Sequence, residues 1–268
     1  MPLFRTSFIS YMLKRNVNVN VFCPGLVPDE ASAGVKTHKI KAKYPVLYLL
    51  HGYWGNENSW LENSSVARYA EERQICIVTF SGENNCYVDV GDFKDDVSPM
   101  MFSPDYYDFI ETELQDFVRN YFPISHRMED TYMAGLSMGG YGTLIHGLAH
   151  PRKYRAIGAF SPMPSLRKGR LGDFDSFSKE ILRKYEPVEI IKKAKSLPAI
   201  YYSYGDKDFL LDVQDWFEEE LKKLNVEHTY KRMEGYAHEW ALWDRELESF
   251  LIWLPRTDAY AKMPRRYV

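Results

Sequence analysis

The chain has 268 residues, 45% of them hydrophobic and 26% charged, with 16 Gly, 14 Pro and 3 Cys. That composition is ordinary for a globular protein and excludes a disordered chain, a collagen-like fibre and a disulfide-stapled miniature. With 34 Lys and Arg against 37 Asp and Glu, the net charge of −3 gives no electrostatic grip on nucleic acid or an anionic membrane.

Cys23, Cys76 and Cys86 form no C-x-x-C pair, so neither a disulfide framework nor a structural zinc site is expected. The opening MPLFRTSFISYMLKRNVNV is broken by polar residues too often for a signal peptide. No stretch approaches about 18 uninterrupted apolar residues, the length needed to span a bilayer. The expectation is a soluble cytoplasmic protein.

Phe4 to Ser10 reads as a strand, and Asn16 to Phe22 alternates Val and Asn with the period of 2 of a half-buried strand. The Pro- and Gly-rich stretch that follows, CPGLVPDEASAG, is a loop. Tyr44 to Leu50 and Ile75 to Phe80 are short apolar runs with no polar face, which suits strands covered on both sides. Pro104 to Tyr121 repeats its apolar residues near a 3.6 period and reads as a helix. Strand Thr131 to Leu136, helix Met138 to His150 (stopped by Pro151) and strand Ala156 to Ser161 come next. Strand Leu197 to Tyr204, helix Phe209 to Leu224, strand Val226 to Met233 and helix Glu239 to Leu254 complete the series. This alternation predicts an α/β fold, one domain over 1–268, with a mostly parallel sheet of about eight strands and the two leading strands as an antiparallel edge. The charged segment 163–196 interrupts the rhythm, as either a small cap over the site or a solvated helical excursion.

Gly135-Leu136-Ser137-Met138-Gly139 matches G-x-S-x-G between an apolar strand and a helix. A serine at such a turn sits in strained backbone flanked by small residues, and the following helix aims its N-terminal N–H groups at developing negative charge. The hydroxyl needs a base, and the base needs an orienting acid, in the chain order Ser, Asp or Glu, His. His228 and His238 lie late enough. His228 falls inside a predicted strand where an exposed His needs no explanation, whereas His238 lies in a loop before the last helix and is preferred. Asp206 and Asp208 follow a strand through Gly205; the G-x-x-D spacing points to Asp208, with Asp206 a turn or cap residue. An oxyanion hole requires two backbone donors, which Met138 and, after the strand ending at Leu50, Tyr53 are placed to supply. His51 reads as a brace for that loop. Trp54 and Tyr87 are candidates for contact with substrate.

His146 and His150 share a helix face at i, i+4, but Gly147 stands where H-E-x-x-H needs Glu, so no metal is expected. The run from Glu218 to Lys223 reads as a solvated helix face, and Trp240, Trp243, Leu247, Phe250, Leu251 and Leu254 as a stripe packed on the sheet.

Tyr48-Leu-Leu-His-Gly-Tyr-Trp-Gly-Asn-Glu-Asn-Ser-Trp60, Ala134-Gly-Leu-Ser-Met-Gly-Gly-Tyr-Gly142, Gly205-Asp-Lys-Asp-Phe-Leu210 and the His238 loop together resemble the putative-esterase family of α/β hydrolases. That family includes tributyrin and acetyl esterases, feruloyl (cinnamoyl) esterases and S-formylglutathione hydrolase. The resemblance covers nearly the whole chain and is nearest to the tributyrin esterase group. It implies the α/β-hydrolase fold and a cofactor-free carboxylesterase acting on small esters with short acyl chains, often as a homo-oligomer. By position it implies Ser137, Asp208 and His238 as the triad, with Tyr53 and Met138 as donors. A feruloyl esterase and a thioesterase like S-formylglutathione hydrolase remain alternatives. A non-catalytic binding module on this fold would lack a triad member, and none is missing here.

Overall fold

The computed structural model describes residues 2–89, 105–168, 183–264 and 266. Eight strands form one sheet: β1 (Leu3–Ser10), β2 (Arg15–Phe22), β3 (Val46–Leu50), β4 (Cys76–Phe80), β5 (Thr131–Leu136), β6 (Ala156–Phe160), β7 (Ala199–Gly205) and β8 (Thr229–Met233). Their spatial order is β1-β2-β4-β3-β5-β6-β7-β8. The pairs β1–β2 and β2–β4 are antiparallel, and every other pair is parallel, as the sequence reading anticipates.

The apolar runs split by alternation. In β3, Val46, Tyr48 and Leu50 face one core layer, while Leu47 and Leu49 face the other. A strand buried on both sides needs apolar residues at every position, which is why these runs show no polar face. The first layer packs against helices Leu114–Tyr121, Met138–Ala149, Pro187–Lys193 and Leu211–Lys223. The second packs against Val66–Arg73 and Trp240–Trp253.

Several boundaries differ from the pattern reading. Helices Ser59–Asn63 and Val66–Arg73 were hidden, because they are short and broken by charged residues. The helical run expected from Pro104 begins at Tyr106 and passes through a π-helical turn at Phe109–Glu113; Pro104 itself lies outside the described residues. β8 starts at Thr229, so His228 precedes the strand rather than sitting in it. Its Nδ1 meets the Val226 carbonyl at 2.8 Å and its Nε2 the Glu218 carboxylate at 2.6 Å. Glu218 is therefore buried, against the expectation of a solvated face, and Lys222 pairs with it from outside. Of the segment 163–196, residues 169–182 lie outside the described residues; its described part holds the helix Pro187–Lys193.

The two histidines with zinc-like spacing belong to a buried network instead. His146 Nδ1 lies 2.8 Å from Glu111 Oε1 and His146 Nε2 lies 2.9 Å from the Tyr87 carbonyl, an acceptor at each nitrogen. Tyr154 Oη and Lys153 Nζ also donate to Glu111, each at 2.9 Å, and His150 meets the Tyr107 hydroxyl at 3.0 Å. Among the described residues, no three His, Cys, Asp or Glu side chains converge as a metal cage requires.

Burial pushes the Glu111 carboxyl up, but hydrogen bonding and charge from His146, with charge from His150 and Lys153, outweigh it and hold the group at about 2. A carboxyl with an ordinary value of 4.5 in the open chain and about 2 in the fold stabilises the protein above pH 4.5, by on the order of 3 kcal/mol. That contribution drains away as the pH falls toward 2. Glu111→Gln should therefore lower stability at neutral pH and flatten its decline between pH 5 and pH 3, measured by urea unfolding across that range.

Candidate active site

Parallel register brings the carboxyl ends of β3, β5, β6 and β7 to one rim of the sheet. Ser137 occupies the turn between β5 and the helix Met138–Ala149, with φ +54° and ψ −116°, a conformation that non-glycine residues rarely adopt. It is held there from three directions. Its N–H donates to Phe160 at the end of β6 (2.9 Å), and its carbonyl accepts from Tyr141 (3.0 Å) and Met163 (3.3 Å). Strain fixed this way keeps the hydroxyl proud of the sheet, at the N-terminus of a twelve-residue helix.

The acid-bearing turn and the histidine loop are stitched together. Asp206 N–H donates to Met233 O (3.0 Å), Lys207 N–H to Tyr236 O (2.9 Å), and the Asp206 carboxylate accepts from Gly235 N–H (2.8 Å). Gly205 permits the contact, because a Cβ there would fall on the Tyr236 carbonyl. The result is a continuous hydrogen-bonded row. His238 Nε2 lies 2.9 Å from Ser137 Oγ, and His238 Nδ1 lies 2.9 and 3.0 Å from the two Asp208 oxygens. Asp208 Oδ1 also accepts from Leu210 N–H at 2.9 Å. Asp208 is only 4% exposed. Burial pushes its carboxyl up, yet the hydrogen bonds and charge of His238 and the Leu210 N–H bring it below the usual carboxylate value. It is thus ionised beside the imidazole. Phe209 and Trp243 flank the His238 ring at 4.6 and 5.0 Å between centroids.

The loop after β3 forms the opposite wall. A turn closes from Gly55 N–H to Gly52 O (3.1 Å), with Tyr53 and Trp54 at its centre. A Cβ on Gly52 would come within 3.4 Å of the Ser137 Cβ and 2.5 Å of Leu136 Cδ1, which would have to shift, so this backbone lies close alongside the serine. His51 is buried beneath the turn. Its Nε2 accepts from Gly82 N–H (2.9 Å), which places the ring hydrogen on Nδ1, where it donates to the Gly52 carbonyl (2.6 Å). Burial pushes the imidazole below its ordinary value and outweighs the Gly52 hydrogen bond, favouring this neutral form.

The cavity between these walls has a volume of about 710 Å³ and contains both Ser137 and His238. Tyr53 and Trp54 line it, Trp54 standing 87% exposed at the rim with its N–H donating to Asn84. Tyr87 does not. Its side chain is wholly buried, donating from its hydroxyl to the His51 carbonyl at 2.8 Å, so the expected substrate contact is corrected to a support under the turn. No described residue of 163–196 lines this cavity.

Phe209, Trp240 and Trp243 do line it and were absent from the expected set. The stripe Trp240, Trp243, Leu247, Phe250, Leu251 and Leu254 packs in the second core layer as expected, Trp240 only partly buried, and the two indoles of its first turn also border the cleft. Their proximity in sequence to Asp208 and His238 was the available signal. Asp206, by sequence a turn or cap residue, also clamps Gly235 from a loop far away in the chain.

The family described as Putative esterase matches residues 12–254. An acetyl esterase of Caldicellulosiruptor saccharolyticus is 28% identical over 277 aligned positions, covering 96% of this chain and 99% of that protein. FphF, a fluorophosphonate-binding serine hydrolase of Staphylococcus aureus, superposes with a TM-score of 0.78 at 23% identity, covering 94% of this chain and 98% of its own. An S-formylglutathione hydrolase (FrmB) of the same organism gives 0.75 at 23% identity, with 94% and 98% covered. These two likenesses establish a shared fold. Taken with the family match over nearly the full length, they lead to one conclusion: the chain belongs to the Putative esterase family of α/β hydrolases.

Proposed function

We propose that this protein is a serine carboxylesterase that hydrolyses small esters with short acyl chains through an acyl-enzyme. The observation that carries the reading is the hydrogen-bonded row Ser137–His238–Asp208, with successive distances of 2.9 and 2.9 Å, opening into the cavity. His238 Nε2 takes the Ser137 proton as the oxygen attacks the ester carbonyl carbon. Asp208, ionised and buried, holds the imidazole hydrogen on Nδ1 and balances the charge that develops. The backbone N–H groups of Tyr53 and Met138 receive the tetrahedral oxyanion. His238 then returns the proton to the leaving alcohol, and water repeats the sequence to release the acid.

The cavity's aromatic walls favour one second reading. Trp54, Phe209, Trp240 and Trp243 offer ring faces on which an aryl acyl group such as feruloyl can stack, and about 710 Å³ is ample for one. Under the short-chain reading, p-nitrophenyl acetate and butyrate have higher kcat/KM than methyl ferulate; the reverse order selects the feruloyl reading. In both, Trp54→Ala raises KM several-fold with little change in kcat, because an exposed rim side chain binds substrate without meeting the reacting carbonyl.

Ser137→Ala should abolish turnover of p-nitrophenyl acetate and labelling by a fluorophosphonate probe, while the circular dichroism spectrum stays that of the native protein. Asp208→Asn should lower kcat by roughly 10³–10⁴ through the wrong histidine tautomer. Retained turnover in Ser137→Ala rules the proposal out.

A further inference from the structure

β2 and β4 are joined antiparallel over only four register pairs, of which the last is Phe22 with Ile77. The next residues outward, Cys23 and Cys76, therefore stand opposite each other across the joint. Their sulfurs are in contact at 3.4 Å, and both side chains are buried in the same core layer as free thiols. Directly opposed residues of an antiparallel pair have Cα atoms about 4.5–5.5 Å apart, inside the range a disulfide bridges. Bond formation asks the two sulfurs to close by about 1.4 Å, a side-chain adjustment with the backbone in place.

We propose that Cys23 and Cys76 are a modification site: a dithiol that a small oxidant converts to a cross-strand disulfide within the folded protein. Cys23 reacts first. It is 4% exposed, whereas Cys76 is fully enclosed, and it is covered by the start of the chain through its N–H bond to the Pro2 carbonyl at 3.1 Å. The Cys23 thiolate attacks one sulfur of an external organic disulfide, forms a mixed disulfide and expels one thiolate. The Cys76 thiol then attacks Cys23 Sγ, its proton passing to the second thiolate as that leaves. Two protein thiols and one external disulfide become one protein disulfide and two external thiols, which keep the two protons. The product adds a covalent rung where the four-pair joint would otherwise fray, fastening the β1–β2 hairpin to the parallel body. It also closes a loop of about fifty residues, which restricts the unfolded chain.

The test treats native protein with bis(2-hydroxyethyl) disulfide, followed by alkylation and non-reducing peptide mass spectrometry. The expected result is a peptide linking Cys23 to Cys76, a fall from three titratable thiols to one after unfolding, and a Tm higher by roughly 5 °C that reverts with dithiothreitol. Cys23→Ala and Cys76→Ala should each lose both the link and the shift, whereas Cys86→Ala keeps them. Three thiols remaining after prolonged exposure, a link through Cys86, or a Cys23–Cys76 link without a rise in Tm overturns the proposal.

Discussion

The hydrogen bond between Asp208 and His238 is the interaction around which the rim of this sheet is organised. It links the side chains of the turn after β7 and the loop after β8. Their backbones are already laced by the Asp206, Lys207 and Gly235 hydrogen bonds, and the absent side chain of Gly205 lets the two loops touch. An ion pair between flexible exposed loops would be worth little after its entropy cost. Here that cost is met by the backbone lattice, and burial of Asp208 concentrates its charge on one imidazole nitrogen. The other nitrogen is left facing Ser137, itself pinned to β6 in a conformation it would not choose freely.

The same logic governs the opposite wall, with backbone partners on both sides of a histidine in place of a carboxylate and a serine. His51 carries one hydrogen and uses both nitrogens, accepting from Gly82 and donating to Gly52. A second hydrogen would set two donors against each other at Gly82, so the brace functions as long as the ring is neutral, and burial favours that state. The turn carrying Tyr53 thereby rests on the end of β4 as well as on its own strand.

Much of this was legible in the chain. Period-2 and period-3.6 patterns revealed the strand–helix alternation of a mostly parallel sheet, and Gly139 and Gly205 stand where backbone approaches backbone. What escaped reading depended on contacts distant in sequence. Trp240 and Trp243 have the spacing of a core stripe and pack with it, and their second role at the cleft comes from where their helix enters from the His238 loop. Glu218 sits in a run of charges that pattern alone assigns to solvent; His228, ten residues on, draws it inside. Tyr87 is a candidate for substrate contact by sequence, but its ring is consumed by packing against Phe80 and His51.

Tyr87 also shows how the two buried polar assemblies meet. Its hydroxyl supports the His51 carbonyl under the turn, while its own carbonyl receives His146, which Glu111 holds from the other side. A buried carboxylate and imidazole are costly to desolvate, and replacing such a pair by apolar side chains is often no less stable. What an apolar pair could not supply is a directed donor for the Tyr87 carbonyl, whose residue lies at positive φ in a segment without regular secondary structure. Besides the pH-dependent stability that Glu111 contributes, the pair therefore specifies where this segment lies. Through Tyr87 that placement passes to His51, to the Gly52 turn, and so to the wall facing Ser137.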